Sequence, residues 1–201
     1  ALHKESISVA DFCALIMSRL NSVIDEEVLR ATDDGSAPVA HYYVASSHNS
    51  YLDGGQLSST SSADMYRRLL LQGCRSLEID CWDGPGGADG EPIVTHGGTL
   101  CTKVPFDDVA RACAEAAFVT SPLPVVLGLD MHCSLPQQAR VAQLLRRHLG
   151  AALLLPAELG GATPATVPLR SLHRRFLIKG RIRPLPAAGS PHAVPAAELD
   201  A

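Results

Sequence analysis

HYYVASSHNSYLDGGQL (41–57), GCRSLEIDCWDG (73–84) and THGGTL (95–100) decide how this chain is read. Short strand-like runs each deliver polar side chains at or near their C-terminal ends: His48 and Asn49, Glu78 and Asp80, and His96. Two imidazoles, two carboxylates and an amide gathered this way suit a hard-cation site with acid/base groups beside it. Such a set fits the cleavage of a phosphate ester. Glu78 and Asp80 lie two apart, so on a strand they share one face, with Leu77 and Ile79 on the other. Two carboxylates on an inward face are costly unless a cation joins them. A pair of salt-bridged structural acids is the competing reading.

Outward from these runs the chain alternates strand and helix. Residues 42–46, 75–80, 93–95, 124–130 and 175–179 read as strands. Residues 62–72, 106–118 and 134–149 read as helices. Ser61 or Ser62 caps the first and Gly73 follows it; Asp107 and Asp108 fall in the first turn of the second. Ser134 and Gln137 make a capping-box pattern for the third, with Gly150 past its end. Helical crossovers between strands predict a parallel sheet with helices outside, and in a (β/α) barrel active sites are built at the carboxyl ends of the strands. About five strands are present where a closed barrel needs eight.

The flanks differ. Residues 9–30 have helical spacing, with Phe12, Leu15, Ile16, Leu20, Val23 and Ile24 on one face and Ser8 as N-cap. Asp33-Asp34-Gly35-Ser36 breaks that pattern. Residues 185–201 are Pro/Ala-rich and read as a linker, so the chain is expected to be part of something longer.

Composition excludes several classes. The 201 residues carry a net charge of −4, which argues against a nucleic-acid binder. Arg170, Arg174, Arg175, Lys179, Arg181 and Arg183 cluster late in the chain, a run that is usually a solvated basic face. No apolar run approaches a transmembrane helix, and the first residues lack a signal-peptide apolar region. Six cysteines without a CxxC pair or regular spacing read as reduced, mostly buried thiols, consistent with a cytoplasmic protein.

Asn49, Glu78, Asp80 and Asp130, which ends the apolar run 125–129, supply only oxygen. Such ligands suit Ca²⁺ or Mg²⁺ better than Zn²⁺, and three carboxylates with one amide suit the roomy shell of Ca²⁺. His48 and His96 as ligands would instead make a zinc hydrolase, but no third nitrogen or sulfur ligand is evident. His132, where the strand gives way to the next helix, is left outside the set. The GPGGADG loop (84–90) lacks a GK[ST] ending and reads as a plain turn.

SSHNSYL (46–52), GCRSLEIDCWDG (73–84), THGGTL (95–100), LDMHCS (129–134) followed by QQ (137–138), and LIKGRI (177–182) together resemble the catalytic X region of eukaryotic phosphoinositide-specific phospholipase C. Residues 12–30 resemble the end of the EF-hand region that precedes X, without a complete calcium loop. The resemblance implies an α/β fold, the first half of a TIM-like (β/α) barrel. It implies three segments: 1–40, helical; 41–183, the X half-barrel; 184–201, a linker towards an absent Y half. It implies His48 and His96 as catalytic histidines, and Ca²⁺ held by Asn49, Glu78, Asp80 and Asp130, with Glu78 also accepting a proton. Lys179 and Arg181 would meet the inositol ring phosphates.

The implied reaction is calcium-dependent cleavage of phosphatidylinositol phosphates such as PIP2 to diacylglycerol and a phosphorylated inositol, by 2-hydroxyl attack and a cyclic phosphate, in lipid signalling. The implied partners are a phosphoinositide at a membrane surface, met peripherally from the cytoplasm, and the Y half of the barrel. Leu52 and nearby rim residues would meet lipid. Asp130 stands where the family usually has Glu, and Arg181 where it has a second lysine. The shortened Asp130 keeps a second reading open: a catalytically silent phosphoinositide-binding or scaffold module. Without Y, the chain alone is expected to be poorly active.

Overall fold

The computed structural model describes residues 6–22, 27 and 34–181. Val23, Ile24, Arg183 and the 185–201 segment lie outside the described residues.

Six strands form one sheet: β1 (Ser46–Ser47), β2 (Ser76–Trp82), β3 (Ile93–Val94), β4 (Val104–Pro105), β5 (Val125–Met131) and β6 (Phe176–Lys179). β1, β2, β5 and β6 pair in parallel. The all-parallel expectation fails at one edge, where β3 and β4 run antiparallel. The reason is length: the 83–92 connection is too short for a helical crossover, so the chain turns back on β2. β1 pairs with Ser76 and Leu77 at the start of β2, and β3 pairs with Cys81 and Trp82 at its end. β5 holds the other edge of β2. Two short strands therefore share one edge of β2 in succession, which aims the ends of both at the same place.

Three helices follow strands: α2 (Ala63–Leu71), α3 (Phe106–Ala116) and α4 (Leu135–Leu149), numbered after the N-terminal α1 (Val9–Ile16). Ser62 caps α2 by accepting from the Asp64 N–H. Leu77, Ile79, Val125 and Leu127 are buried beneath these helices together with Tyr66, Leu70, Phe106, Val109, Val141 and Leu144. The opposite face carries Glu78, Asp80, Asp130 and Lys179 and opens into a cleft. The architecture is an open α/β half-barrel.

Arg75 ties two helix ends to the sheet. Its guanidinium donates to Leu70 O and Ala117 O, each at 2.6 Å, where carbonyls at helix C-termini lack intrahelical partners. The Ser134–Gln137 capping box does not form. Gln137 is fully buried, accepts from the Gly84 N–H at 2.9 Å and donates to Gly84 O and Gly87 O. Its amide holds the 84–90 loop, and Ser134 instead bonds Asp83.

α1 begins as expected, with Ser8 and Asp11 in a reciprocal capping box. It stops at Ile16, where the Ser18 hydroxyl takes the Leu15 carbonyl, and a short 3-10 turn, Arg19–Asn21, follows. None of its residues is buried. Residues 34–40 bond to the half-barrel: Leu169 N–H donates to Ala37 O and Arg170 N–H to Gly35 O, each at 2.9 Å.

Candidate active site

Strand alternation builds the site. Across the parallel register Glu78 lies beside Gly128, Asp80 beside Asp130, and Gly128 beside Lys179. All these positions share the open face, since neighbours in register point the same way. Leu77 and Ile79, on the other face, are 1% and 0% exposed. A cleft of about 510 Å³ runs along this face, lined by Ser46, Ser47, His48, Ser76, Leu77, Glu78, Gly128, Leu129, Asp130, Lys179, Gly180 and Arg181. Lys179 and Arg181 are exposed within it.

His48 and Asn49 follow β1 directly. Asn49 adopts φ 44°, a left-handed conformation that Asn tolerates better than most residues. The turn sends its N–H to Glu78 Oε2 at 2.8 Å. Its side-chain Nδ2 donates to Gln56 Oε1 at 2.6 Å, which leaves Oδ1 as the acceptor end of a nearly buried amide. His48 is exposed, its Nε2 3.8 Å from Glu78 Oε2.

Asp80 is 7% exposed. Oδ2 accepts from the Tyr51 hydroxyl at 2.6 Å. Oδ1 is buried and has no hydrogen-bond partner among the described residues. Burial, foremost, and the neighbouring Glu78 and Asp130 charges raise the Asp80 pKa, against the lowering effect of the Tyr51 hydrogen bond. The Tyr51 phenol in turn is pushed well above its usual range by burial and by Asp80. A buried carboxylate with one bare oxygen is a costly group that a cation would satisfy.

His96 comes just after β3. The residue between them, Thr95, donates its N–H to Asp80 O at 3.3 Å. His96 Nδ1 lies 2.7 Å from Gln56 O. A carbonyl only accepts, so Nδ1 carries the proton and Nε2 is the nitrogen left for chemistry. Gly97 leaves room for Trp82: a Cβ there would sit 2.0 Å from its Cζ2. On Trp82 the His132 ring stacks at 4.1 Å and 12°. His132 Nε2 lies 3.2 Å from Asp130 Oδ2, and Asp130 is half-exposed.

The structure thus brings His48, Asn49, Glu78, Asp80 and His96 to one end of β2, with Asp130 in register beside Asp80. Among the described residues, no group of three or more His, Cys, Asp and Glu side chains is drawn together as a metal cage. The all-oxygen set and the bare Asp80 Oδ1 fit a hard cation. Sequence reasoning missed Tyr51 and Gln56, which hold Asp80, Asn49 and His96, because neither residue type announces such a role. His132, left outside the set, lies against Asp130 and Trp82. Leu52, expected at the rim, does not lie there. Leu52 is buried at 7%, while Leu57 and Leu100 are 73% and 85% exposed on adjoining loops, joined by Leu100 N–H to Leu57 O at 2.9 Å.

Residues 35–182 match the family described as phosphatidylinositol-specific phospholipase C, X domain. The chain is 43% identical over 188 residues to 1-phosphatidylinositol 4,5-bisphosphate phosphodiesterase beta-4 of Homo sapiens, covering 90% of this chain and 16% of that protein. It is 41% identical over 191 residues to the delta-3 phosphodiesterase of Mus musculus, covering 94% of this chain and 24% of that protein. The crystal structure of PLC21 from L. pealei superposes with a TM-score of 0.73 at 41% identity, covering 88% of this chain and 23% of that one. The chain therefore spans less than a quarter of the length of these relatives. By sequence and by fold, it belongs to the X-domain family of phosphatidylinositol-specific phospholipases C.

Proposed function

We propose that this chain supplies the catalytic X half of a calcium-dependent phosphoinositide phospholipase C. The substrate would be a phosphatidylinositol phosphate such as PIP2, the compound in the names of its relatives. The observation that carries the reading is the bare, buried Asp80 Oδ1 amid an oxygen-only donor set, with two imidazoles at the same strand ends.

Asn49, Glu78, Asp80 and Asp130 are the residues that would hold Ca²⁺. Bound calcium supplies charge neutralisation at the phosphate and a lowered pKa for the inositol 2-hydroxyl. The attack is intramolecular, so positioning supplies much of the rate. The 2-oxygen forms a bond to phosphorus, and the bond from phosphorus to the diacylglycerol oxygen breaks. Glu78 accepts the 2-hydroxyl proton. His96, oriented through Nδ1 and acting as the imidazolium with both nitrogens protonated, gives a proton from Nε2 to the leaving oxygen. His48, exposed on the cleft, donates to the crowded phosphorane. Water then opens the cyclic phosphate by the reverse proton path. Lys179 and Arg181 offer cations to the ring phosphates from the β6 side of the cleft.

A bilayer would be met peripherally. Leu57 and Leu100 give the rim an apolar tip, and no helix among the described residues is long and apolar enough to cross a membrane. The six cysteines are free thiols, which suits the cytoplasm. The Y half of the same barrel would close the open face.

The test is calcium-dependent release of water-soluble inositol phosphate from PIP2 vesicles by the full-length protein. Release should need calcium and fall roughly 10²- to 10⁴-fold in His48→Ala. Lipid binding without release at saturating calcium would instead support the silent module. The half-exposed Asp130, turned to His132, motivates that alternative. Release restored by Asp130→Glu would trace the loss to the short carboxylate.

A further inference from the structure

Gln56 lies outside SSHNSYL (46–52) and THGGTL (95–100), yet both of its oxygens are engaged at the site. Its side-chain Oε1 accepts from Asn49 Nδ2 at 2.6 Å. Its backbone O accepts from His96 Nδ1 at 2.7 Å and from the Cys101 thiol at 3.3 Å. One residue thus holds both the amide that would face the cation and the imidazole that would protonate the leaving group. The bond to Nδ2 fixes which end of the Asn49 amide is the acceptor. Without it the amide is free to flip and present NH₂ to the cation. The carbonyl sets the His96 tautomer, as the partner on the second nitrogen of an imidazole does.

The loop around Gln56 is built to hold still. Asp53 N–H donates to Thr60 O at 2.9 Å and closes its base. The Ser59 hydroxyl donates to Gly55 O at 2.5 Å inside it. Leu100 N–H and Thr102 N–H, from the loop after His96, donate to Leu57 O and Ser59 O. The loop is fastened to the segment bearing His96 on one side and to Asn49 on the other.

Resting on the phospholipase reading, we infer that Gln56 is a positioning residue whose side chain orients the Asn49 calcium ligand, from a loop whose backbone also holds the His96 acid. Partners of this kind, bonded to a metal ligand rather than to the metal, are worth roughly 10- to 100-fold in affinity or activity. The effect of the side chain runs through Asn49, so loss of Gln56 matters only while Asn49 is present.

The experiment is calcium titration calorimetry on the full-length protein, with calcium alone, alongside kcat/KM on PIP2 vesicles. Gln56→Ala should weaken the Asn49-dependent calcium event roughly 10- to 100-fold and lower kcat/KM with it. Gln56→Glu, which keeps an acceptor for Nδ2, should restore most of both. In an Asn49→Ala background, Gln56→Ala should add little further loss, because coupled residues are non-additive. Unchanged calcium affinity in Gln56→Ala, or a full additive loss on top of Asn49→Ala, overturns the inference. A wild-type protein with no Asn49-dependent calcium event sinks the phospholipase reading itself, a result distinct from either.

Discussion

At the scale of single residues, the site is made of side chains that a folded chain would avoid without a purpose. Asp80 is the clearest. Its raised pKa comes first from burial, and its Oδ1 has no partner among the described residues. A folded pKa above the unfolded one means that the fold prefers the protonated acid. Stability from that group is fully present below the unfolded pKa and is lost as pH rises through the folded one. The calcium-free protein should therefore lose stability as pH rises through the Asp80 titration, and added calcium should reverse the loss. Asp80→Asn keeps an acceptor for the Tyr51 hydroxyl and removes the charge. It should stabilise the calcium-free protein by about 1–2 kcal/mol, while calcium no longer raises Tm. Thermal unfolding of both proteins with and without calcium checks this. A destabilised, calcium-responsive Asp80→Asn would show that the carboxylate is structural.

At the scale of elements, the loop at the C-terminal end of β2 depends on a helix packed outside the sheet. α4 carries Gln137, fully buried, whose amide satisfies Gly84 N–H, Gly84 O and Gly87 O in the loop after β2. Gln137 follows Ser134 at the spacing of a capping box, where its side chain would fold back on the helix start; here it is a loop clamp. Gln137→Leu fills nearly the same volume but leaves the buried Gly84 amide unpaired. The expected cost is about 2–3 kcal/mol in denaturant unfolding. Gln137→Glu keeps the acceptor for Gly84 N–H and loses the donor, so it should fall between. Equal stability of Gln137→Leu and wild type would mean that solvent or relaxation satisfies the loop.

At the scale of the molecule, the sheet ends where a barrel would continue. Leu153 covers the start of β6 through a single bridge to Phe176, and Ile178 beyond it is 41% exposed. The polar face opens into the cleft rather than into a closed lumen. Unpaired strand edges beside apolar surface promote self-association. The 201-residue chain alone should therefore associate in light scattering. On the phospholipase reading it should also hydrolyse PIP2 at least roughly 100-fold more slowly than the full-length protein, since the open face leaves a bound substrate less well positioned. A monomeric chain with near full-length activity would contradict this.

Much of the fold was legible in local pattern. Strand alternation put Glu78 and Asp80 on one face, and apolar runs with cap and stop residues located three outer helices within a few residues. These features depend on neighbours in the chain, so the order of amino acids is enough to set them, as it is for the family to which the motifs belong. Features that depend on distant contacts were settled by the folded chain. The antiparallel β3–β4 edge arises because a short connection folds back on β2. Gln137 left its expected cap because the loop after β2, 53 residues earlier at Gly84, offered unpaired amides in a buried place. Gln56 and Tyr51 became parts of the site because the fold carried Asn49, Asp80 and His96 to them. A hydrogen bond between residues far apart in sequence leaves no periodic trace, and only folding of the chain brings its two ends within reach.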